Sequence, residues 1–496
     1  MSSSTNGPSS TSAAPSSQAL KTEAPFSQIS RLVTRNYFLL LACIIALAFG
    51  LRFHNVGLQS LWMDEAATAA IASIKGASFW KLILTREMNM AAYYAILREL
   101  PFLQYSEALL RLPSVIFGAG LAAAVCLLAR ELLESGQQLL GLASALLVAV
   151  NGFLIAYSQE ARGYAMAVCL LTLATWAAAV VLKTGNLKAT WCMLALAAIY
   201  SHLYAVLWII PQFWAIWRTH RPLGWKFFRR IAFVAAAGSI PLCVFVLRTR
   251  GGQLDWVPKL TPRFLLEVFV QIAGYSPVAL ALLCAGSAIG CMTLWRRGDV
   301  LSRLIVLENV LPIAVLLACS PIHPLIVPRF LIFAVPFLSM TAVIGFANFR
   351  TPWGFLALAS ILIAMLVVGN RSAPKGDWKA MTKYLCAEPH QALAFWPPMQ
   401  RLPYWYYSQS NAACPMPLSA ESREPALSDF GGNKHVFAAK LCTSEEQSIV
   451  MIMESDWKKR FPDTVRECYA PASVTVQDGL QLIRLQRLSP VQGGRF

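Results

Sequence analysis

The sequence predicts an all-α polytopic membrane protein, with about eleven transmembrane helices and a small C-terminal α/β soluble domain, on three observations. Of its 496 residues, 57% are hydrophobic and only 14% charged, and the mean hydropathy is +0.53, well outside the range of soluble globular domains. Apolar runs of roughly 17 to 25 residues, long enough to cross a ~30 Å hydrocarbon layer as helices, recur through the first three quarters of the chain. These runs lack the alternation of barrel strands, and in lipid a lone segment satisfies its backbone groups only as a helix.

Taken in order, residues 1–30 are rich in Ser, Thr, Ala and Pro, cannot bury a core and are expected to form a disordered cytoplasmic tail. Polar residues come first and no small-residue cleavage site follows the first apolar run, so the segment does not read as a signal peptide. Residues 31–370 form the transmembrane domain, with spans expected at 36–52, 112–129, 139–156, 163–182, 189–201, 204–217, 231–247, 271–294, 304–320, 330–347 and 353–369. The most basic connection, WRTHRPLGWKFFRR from Trp217 to Arg230, is expected on the cytoplasmic side, and counting outward from it puts Arg130, Lys183, Lys188, Arg296, Arg297 and Arg350 there too. Arg86, Arg111, Arg162, Arg248, Arg250, Arg263 and Arg329 then fall on the outer side, against the topological bias, and an anionic ligand supplies a reason for them. The formal net charge of +17 is scattered through short connections and forms no stripe, which excludes nucleic acid as a partner.

After Asn370 the composition turns polar, so 371–496 are expected as an extracytoplasmic soluble domain. VTVQDGLQLIRLQRL reads as a hairpin with an Asp-Gly turn, and DWKAMTKYL has helical spacing. Eight of the twelve cysteines lie in spans as small apolar fillers. The other four, Cys386, Cys414, Cys442 and Cys468, can make two disulfides in an oxidising compartment, with three possible connectivities; their spacing fits no zinc site.

Charge in so apolar a chain points to chemistry. SLWMDEAAT, after the first span, sets Asp64 beside Glu65, and dehydrating unpaired carboxylates at a membrane boundary costs several kcal/mol. The helix dipole would also favour such a pair in a first turn. The same outer loop carries TREMNMAAYYAIL with Arg86, Glu87, Asn89, Tyr93 and Tyr94. AYSQEARGYAM brings Glu160 and Arg162 to the next outer turn, YSHLY brings His202, and SPIHPLIVPRFLIF brings His323 and Arg329. Glu160 with Arg162 could merely neutralise each other, His202 could be packing, and Arg329 could be a snorkelling interfacial cation. Together, though, they place carboxylates, imidazoles and guanidiniums on one face. Guanidinium matches phosphate oxygens, while a carboxylate can take the proton of an incoming hydroxyl.

In this order, SLWMDEA, REMNMAAYY, SEALLRLPSVIFG, AYSQEARGYAM, YSHLYA and VPRFLIFAVP resemble the glycosyltransferase family 39 branch of the GT-C superfamily, over about residues 50–340. Relatives include dolichyl-phosphate-mannose protein mannosyltransferases and the bacterial aminoarabinose transferase of lipid A. The resemblance implies a multispan enzyme that moves a sugar from a polyprenyl-phosphate carrier to an acceptor on the outer side. It makes Asp64 the essential acid and general base, Glu65 a structural or metal-binding support, and Glu87 a neighbour of a second acidic position. Where many members have His-Pro-Pro-Leu-Tyr-Tyr, this chain has Asn89-Met90-Ala91-Ala92-Tyr93-Tyr94: the tyrosines remain, but Asn89 offers only neutral hydrogen bonds.

The expected reaction is an inverting single displacement, with the donor phosphate held by Arg329 together with Arg111 or Arg162, and Glu87, Asn89, Tyr93, Tyr94, Glu160, His202 and His323 around the substrates. Glu87, Glu160 and His202 are the candidates for a divalent cation, with His323 able to assist. No nucleotide-binding glycine loop is present, so a sugar nucleotide is not the expected donor. The acceptor is a lipid, protein or glycan hydroxyl, and the membrane expected is a bacterial inner membrane. A flippase or transporter of lipid-linked sugar is the alternative, but transporters gather ionisable groups near the midplane, and here they lie at span ends. A non-catalytic scaffold would leave the ordered acids and arginines unexplained.

Overall fold

The computed structural model describes residues 35–134, 137–249, 256–349, 353–368, 375–388, 391–418, 420, 424–425, 430, 434–454, 461–477 and 479–488. The expected N-terminal tail, Arg250, Arg350 and Asp478 lie outside these residues.

Each of the eleven apolar runs is helical within the described residues. In chain order, α1 is Tyr37–Phe53; the loop helices α2 (Met63–Ser73), α3 (Ala77–Thr85) and α4 (Ala91–Glu99) follow; then come α5 (Glu107–Leu132), α6 (Gln138–Val150), α7 (Gly152–Ser158), α8 (Tyr164–Thr184), α9 (Lys188–Ser201), α10 (Val206–His220), α11 (Trp225–Thr249), α12 (Pro262–Ile272), α13 (Pro277–Arg297), α14 (Val300–Cys319), α15 (Ala334–Ala347) and α16 (Trp353–Val368). Among the described residues five helices are long and apolar enough to cross a membrane, six if α6 and α7 count as one span; α1, α15 and α16 are shorter apolar helices.

Three expected spans differ in detail. The run at 139–156 is two helices bent by 60° at Asn151. The carbonyls freed at the end of α6 are taken by buried Arg52, whose guanidinium donates to the Ala149 and Val148 carbonyls and to Ser158 Oγ. The run at 271–294 starts only at Pro277, because Gly274 and Tyr275 adopt positive φ and separate it from α12. The run at 330–347 begins helically at Ala334, behind a 3₁₀ turn, Pro328–Leu331, that carries Arg329.

Small residues let the helices approach. A Cβ on Gly290 would lie 1.9 Å from the Thr341 carbonyl oxygen, and one on Gly345 would lie 1.9 Å from that of Gly286, so α13 and α15 touch backbone to backbone. In lipid, where apolar side chains gain little by leaving tails for one another, such close packing supplies much of the helix association.

The C-terminal portion has a four-stranded sheet, β1 (Leu393–Phe395), β2 (Ser448–Met453), β3 (Tyr469–Gln477) and β4 (Leu480–Arg487), in the order β1-β2-β4-β3. β1 and β2 are parallel and the other pairs antiparallel. Ile449, Met451, Ile483 and Leu485 pack on one face, and Val450, Ile452, Leu482, Trp378 and Leu385 on the other. With both faces covered, β2 (SIVMIM) reads as a near-continuous apolar run. The expected hairpin is β3–β4, where Gln477 pairs Leu480, and DWKAMTKYL is the helix α17, Trp378–Ala387. A further helix, α18 (Arg401–Ser408), packs on the loop helix α2. Of the three connectivities, the disulfides are Cys386–Cys414 and Cys442–Cys468.

Candidate active site

The loop helices α2–α4 and the C-terminal portion cover one end of the bundle. The opposite end carries pairs such as Lys183–Glu131 and Arg297–Glu134, at 2.9 and 3.1 Å. Trp62 is the N-cap of α2, so Asp64 and Glu65 do occupy its first turn, where the dipole favours them. Being adjacent, they diverge by about 100° around the helix, and their surroundings differ accordingly.

Glu65 is fully buried. Its two oxygens accept the Nε and Nη2 donors of Arg111 at 2.7 Å each, and Oε1 also accepts the Ala161 amide at 2.8 Å. Arg111 spends its remaining donors on the Val56, Gln59 and Ser60 carbonyls. Burial opposes ionisation of Glu65, but the Arg111 guanidinium outweighs it and holds the carboxyl below the ordinary glutamate range. The pair pins the loop before α2 to α5. A phosphate role for Arg111 conflicts with this geometry, because its donors are already committed.

Asp64 is partly open, its side chain 18% exposed. Oδ2 accepts Arg329 Nη1 at 3.2 Å and lies 4.0 Å from Arg162 Nη2; Oδ1 has no hydrogen-bond partner among the described residues. Arg162 also donates to the Asp64 carbonyl, Thr68 Oγ1 and the Tyr94 hydroxyl. Arg329 lies over the Trp256 ring, 4.5 Å from its centroid. Gly163 lets this turn seat itself, since a Cβ there would stand 2.6 Å from the Ser201 carbonyl oxygen.

Glu87 faces the same cations: burial pushes its pKa up to about 7, Arg162 opposes this, and the Asp64 charge adds to it. Glu160 takes a hydrogen bond from Lys375 at 2.9 Å, and burial raises its carboxyl above the ordinary range. His202 is buried among the rings of Tyr164, Tyr204, Phe330 and Phe333, with Nδ1 accepting the Tyr204 amide and Nε2 unpartnered among the described residues. Burial, reinforced by Arg329 and Arg162, lowers its pKa to about 3, so the ring is neutral.

Not every candidate joins. Tyr93 is fully buried and bonds Ser114 and the Leu110 carbonyl; Asn89 accepts the Leu203 amide. These two tie loop to helices. His323 is exposed, bonds only the neighbouring Pro324 carbonyl, and is not gathered with the rest. The metal candidates Glu87, Glu160 and His202 do not converge either: among the described residues no three His, Cys, Asp or Glu side chains form a cation-sized cluster.

The sequence reading missed the contribution of the C-terminal portion. Lys375 lies between Glu160 and Glu65, 4.0 Å from the latter, and over the Trp62 ring. Glu454, at the end of β2, has its carboxyl raised by burial and by the Asp64 charge, with Lys375 opposing. Ser60 Oγ donates to the Gly376 carbonyl and accepts the Trp378 amide, so the residues before Asp64 are hydrogen-bonded to this lid. A lysine just beyond the last apolar run was the available signal, but nothing local says which helix it meets.

No protein-family model and no curated protein sequence matches the chain. Solved structures do. ArnT from Cupriavidus metallidurans in the apo state aligns over 90% of this chain and 97% of its own, with a TM-score of 0.59 at 11% identity. The same protein bound to undecaprenyl phosphate aligns over 92% and 99%, with a TM-score of 0.54 at 10% identity. The Archaeoglobus fulgidus oligosaccharyltransferase in complex with Zn and sulfate aligns over 84% and 68%, with a TM-score of 0.52 at 11% identity. The chain therefore shares the GT-C fold of these membrane proteins, as its motifs lead one to expect.

Proposed function

We propose that the chain is an inverting glycosyltransferase that moves a sugar from a polyprenyl-phosphate donor to a hydroxyl acceptor at the extracytoplasmic face of a membrane, a bacterial inner membrane by the family resemblance. The observation that carries this reading is the division of labour within the Asp64-Glu65 pair. Glu65 is saturated by Arg111 and a backbone amide, while Asp64 keeps an oxygen that is unbonded among the described residues, beside two guanidiniums. The fold shared with ArnT, whose structure holds undecaprenyl phosphate, supports a prenyl-phosphate ligand here.

In the proposed reaction Asp64 takes the proton as the acceptor oxygen bonds to the anomeric carbon. The bond from that carbon to the phosphate oxygen breaks on the opposite face, and its electron pair leaves with the polyprenyl phosphate. Arg329 and Arg162 hold that phosphate. Negative charge grows on the leaving oxygen, so fixed guanidiniums favour the transition state over the ground state. In the free protein Arg329 rests on Asp64 instead; donor phosphate competes for it and frees the carboxylate. A proton acceptor so placed contributes about 10² to 10⁴ in rate.

The test is release of polyprenyl phosphate from a polyprenyl-phosphate sugar by the full-length protein in liposomes. Wild type is expected to release it and Asp64→Asn to fold but to release it about 10² to 10⁴ times more slowly. Turnover by Asp64→Asn at the wild-type rate removes Asp64 as the base.

A further inference from the structure

Away from Asp64, a cleft of ≈ 780 Å³ opens between α2, the turn before α5, α17 and α18. Positions Ala69 and Ser73 of α2 line it, and at ~100° per residue they lie about 140° and 180° around the helix from Asp64. The cleft is therefore on the other flank of α2 from the reactive carboxylate. Its walls mix flat aromatic rings, Tyr105, Tyr406 and Tyr407, with the cations Lys379 and Lys383. Tyr105 is 80% exposed, and Lys379 is only loosely held by Glu107 at 3.4 Å. Thr382, also lining the cleft, is 98% buried, yet its hydroxyl has no hydrogen-bond partner among the described residues. A buried hydroxyl left unpaired is costly, and a ligand rich in hydroxyls relieves it.

We infer that this cleft binds an anionic oligosaccharide, the distal part of a glycan whose acceptor hydroxyl lies at Asp64. Rings facing a cleft suit the apolar faces of pyranoses, and lysines suit carboxylate or phosphate substituents. The cleft is also wired to the site: the Tyr407 hydroxyl accepts the Leu61 amide, three residues before Asp64, and donates to Glu107. The glycan's role as an acceptor rests on the transferase reading; binding itself does not, and the test measures binding without donor.

The experiment is calorimetric titration of the full-length protein in detergent with a uronic-acid hexasaccharide and, separately, with a neutral glucose hexasaccharide. Wild type is expected to bind the uronic hexamer more tightly. Tyr406→Ala and Lys383→Glu should each weaken it about tenfold. Thr382→Val should weaken it too while leaving the melting temperature of the empty protein unchanged or higher, which a purely structural threonine would not do. Asp64→Asn should keep the preference for the uronic hexamer over the neutral one, because the lysines that set it line the cleft and not the catalytic end. No binding of the uronic hexamer, equal binding of the neutral one, or binding indifferent to Tyr406→Ala and Lys383→Glu overturns the inference.

Discussion

At the end of the bundle that carries Asp64, carboxylates and cations alternate, whereas halfway along the bundle Glu308 meets only neutral partners. Its Oε1 accepts the Thr175 hydroxyl and the Gln212 amide, and Gln212 in turn accepts the Trp191 indole N–H, all of them buried in helices. The adjacent residue, Asn309, donates to Ser287, which also shares a hydrogen bond with Thr341. Here polar groups cross-link α8, α9, α10, α13, α14 and α15, Glu308 is fully buried, and no cation is hydrogen-bonded to it among the described residues. At the other end, Asp64, Glu87, Glu160 and Glu454 share Arg162, Arg329 and Lys375, and Asp64 remains partly open. A buried acid is thus informative about chemistry only together with its partners: neutral donors on a sealed carboxyl glue helices, while guanidiniums beside a partly open one prepare it for a substrate.

The comparison is broken or sharpened by substitution. The largest effect is expected at Asp64: Asp64→Asn should lower turnover by about 10² to 10⁴ while span packing persists, read from polyprenyl phosphate release and from the melting curve. Arg329→Ala should cost on the order of a hundredfold in donor turnover; unchanged donor kinetics would take Arg329 out of the phosphate site. Arg111→Ala belongs to the structural class and leaves Glu65 buried without its cation, so it should destabilise by about 3–5 kcal/mol, seen as a loss of folded protein in a denaturant titration.

A smaller effect is expected for Glu87, and it depends on pH. Its carboxyl ionises near 4.5 in the unfolded chain and near 7 in the folded one. Between those values the folded state binds more protons, so its stability falls as pH rises, then levels off above about 7. Glu87→Gln should flatten that slope; an equally steep slope in the variant would place the titration elsewhere. The smallest effect is expected at Glu308, where Glu308→Gln keeps the accepting oxygen and should change stability by less than about 1 kcal/mol and turnover hardly at all. A large loss of turnover there would erase the distinction between the two clusters.

Much of this molecule was legible in its linear pattern. The apolar runs had to be helical because lipid offers backbone groups no other partner, and within the described residues they are, with breaks at Asn151, before Pro277 and before Ala334. The DE pair stood out because charge is scarce, and the Cys386, Cys414, Cys442 and Cys468 set could only pair among themselves outside the spans. What the pattern could not supply was orientation. Adjacent acids look alike in a sequence, yet about 100° of helical rotation sends Glu65 into Arg111 and leaves Asp64 facing Arg329. Arg111 and Arg162 looked equivalent as phosphate ligands until packing committed one of them to a carboxylate.

Composition and periodicity by themselves determined a helical bundle with a polar C-terminal sheet, because solvent preference and hydrogen-bond satisfaction act on each segment locally. The bend at Asn151, the reach of Lys375 and Glu454 over the site, the isolation of His323 and the choice among three disulfide connectivities were decided only by tertiary structure. These depend on which distant surfaces meet, and contact between residues 265 positions apart, as between Asp64 and Arg329, leaves no trace in the local order of the chain.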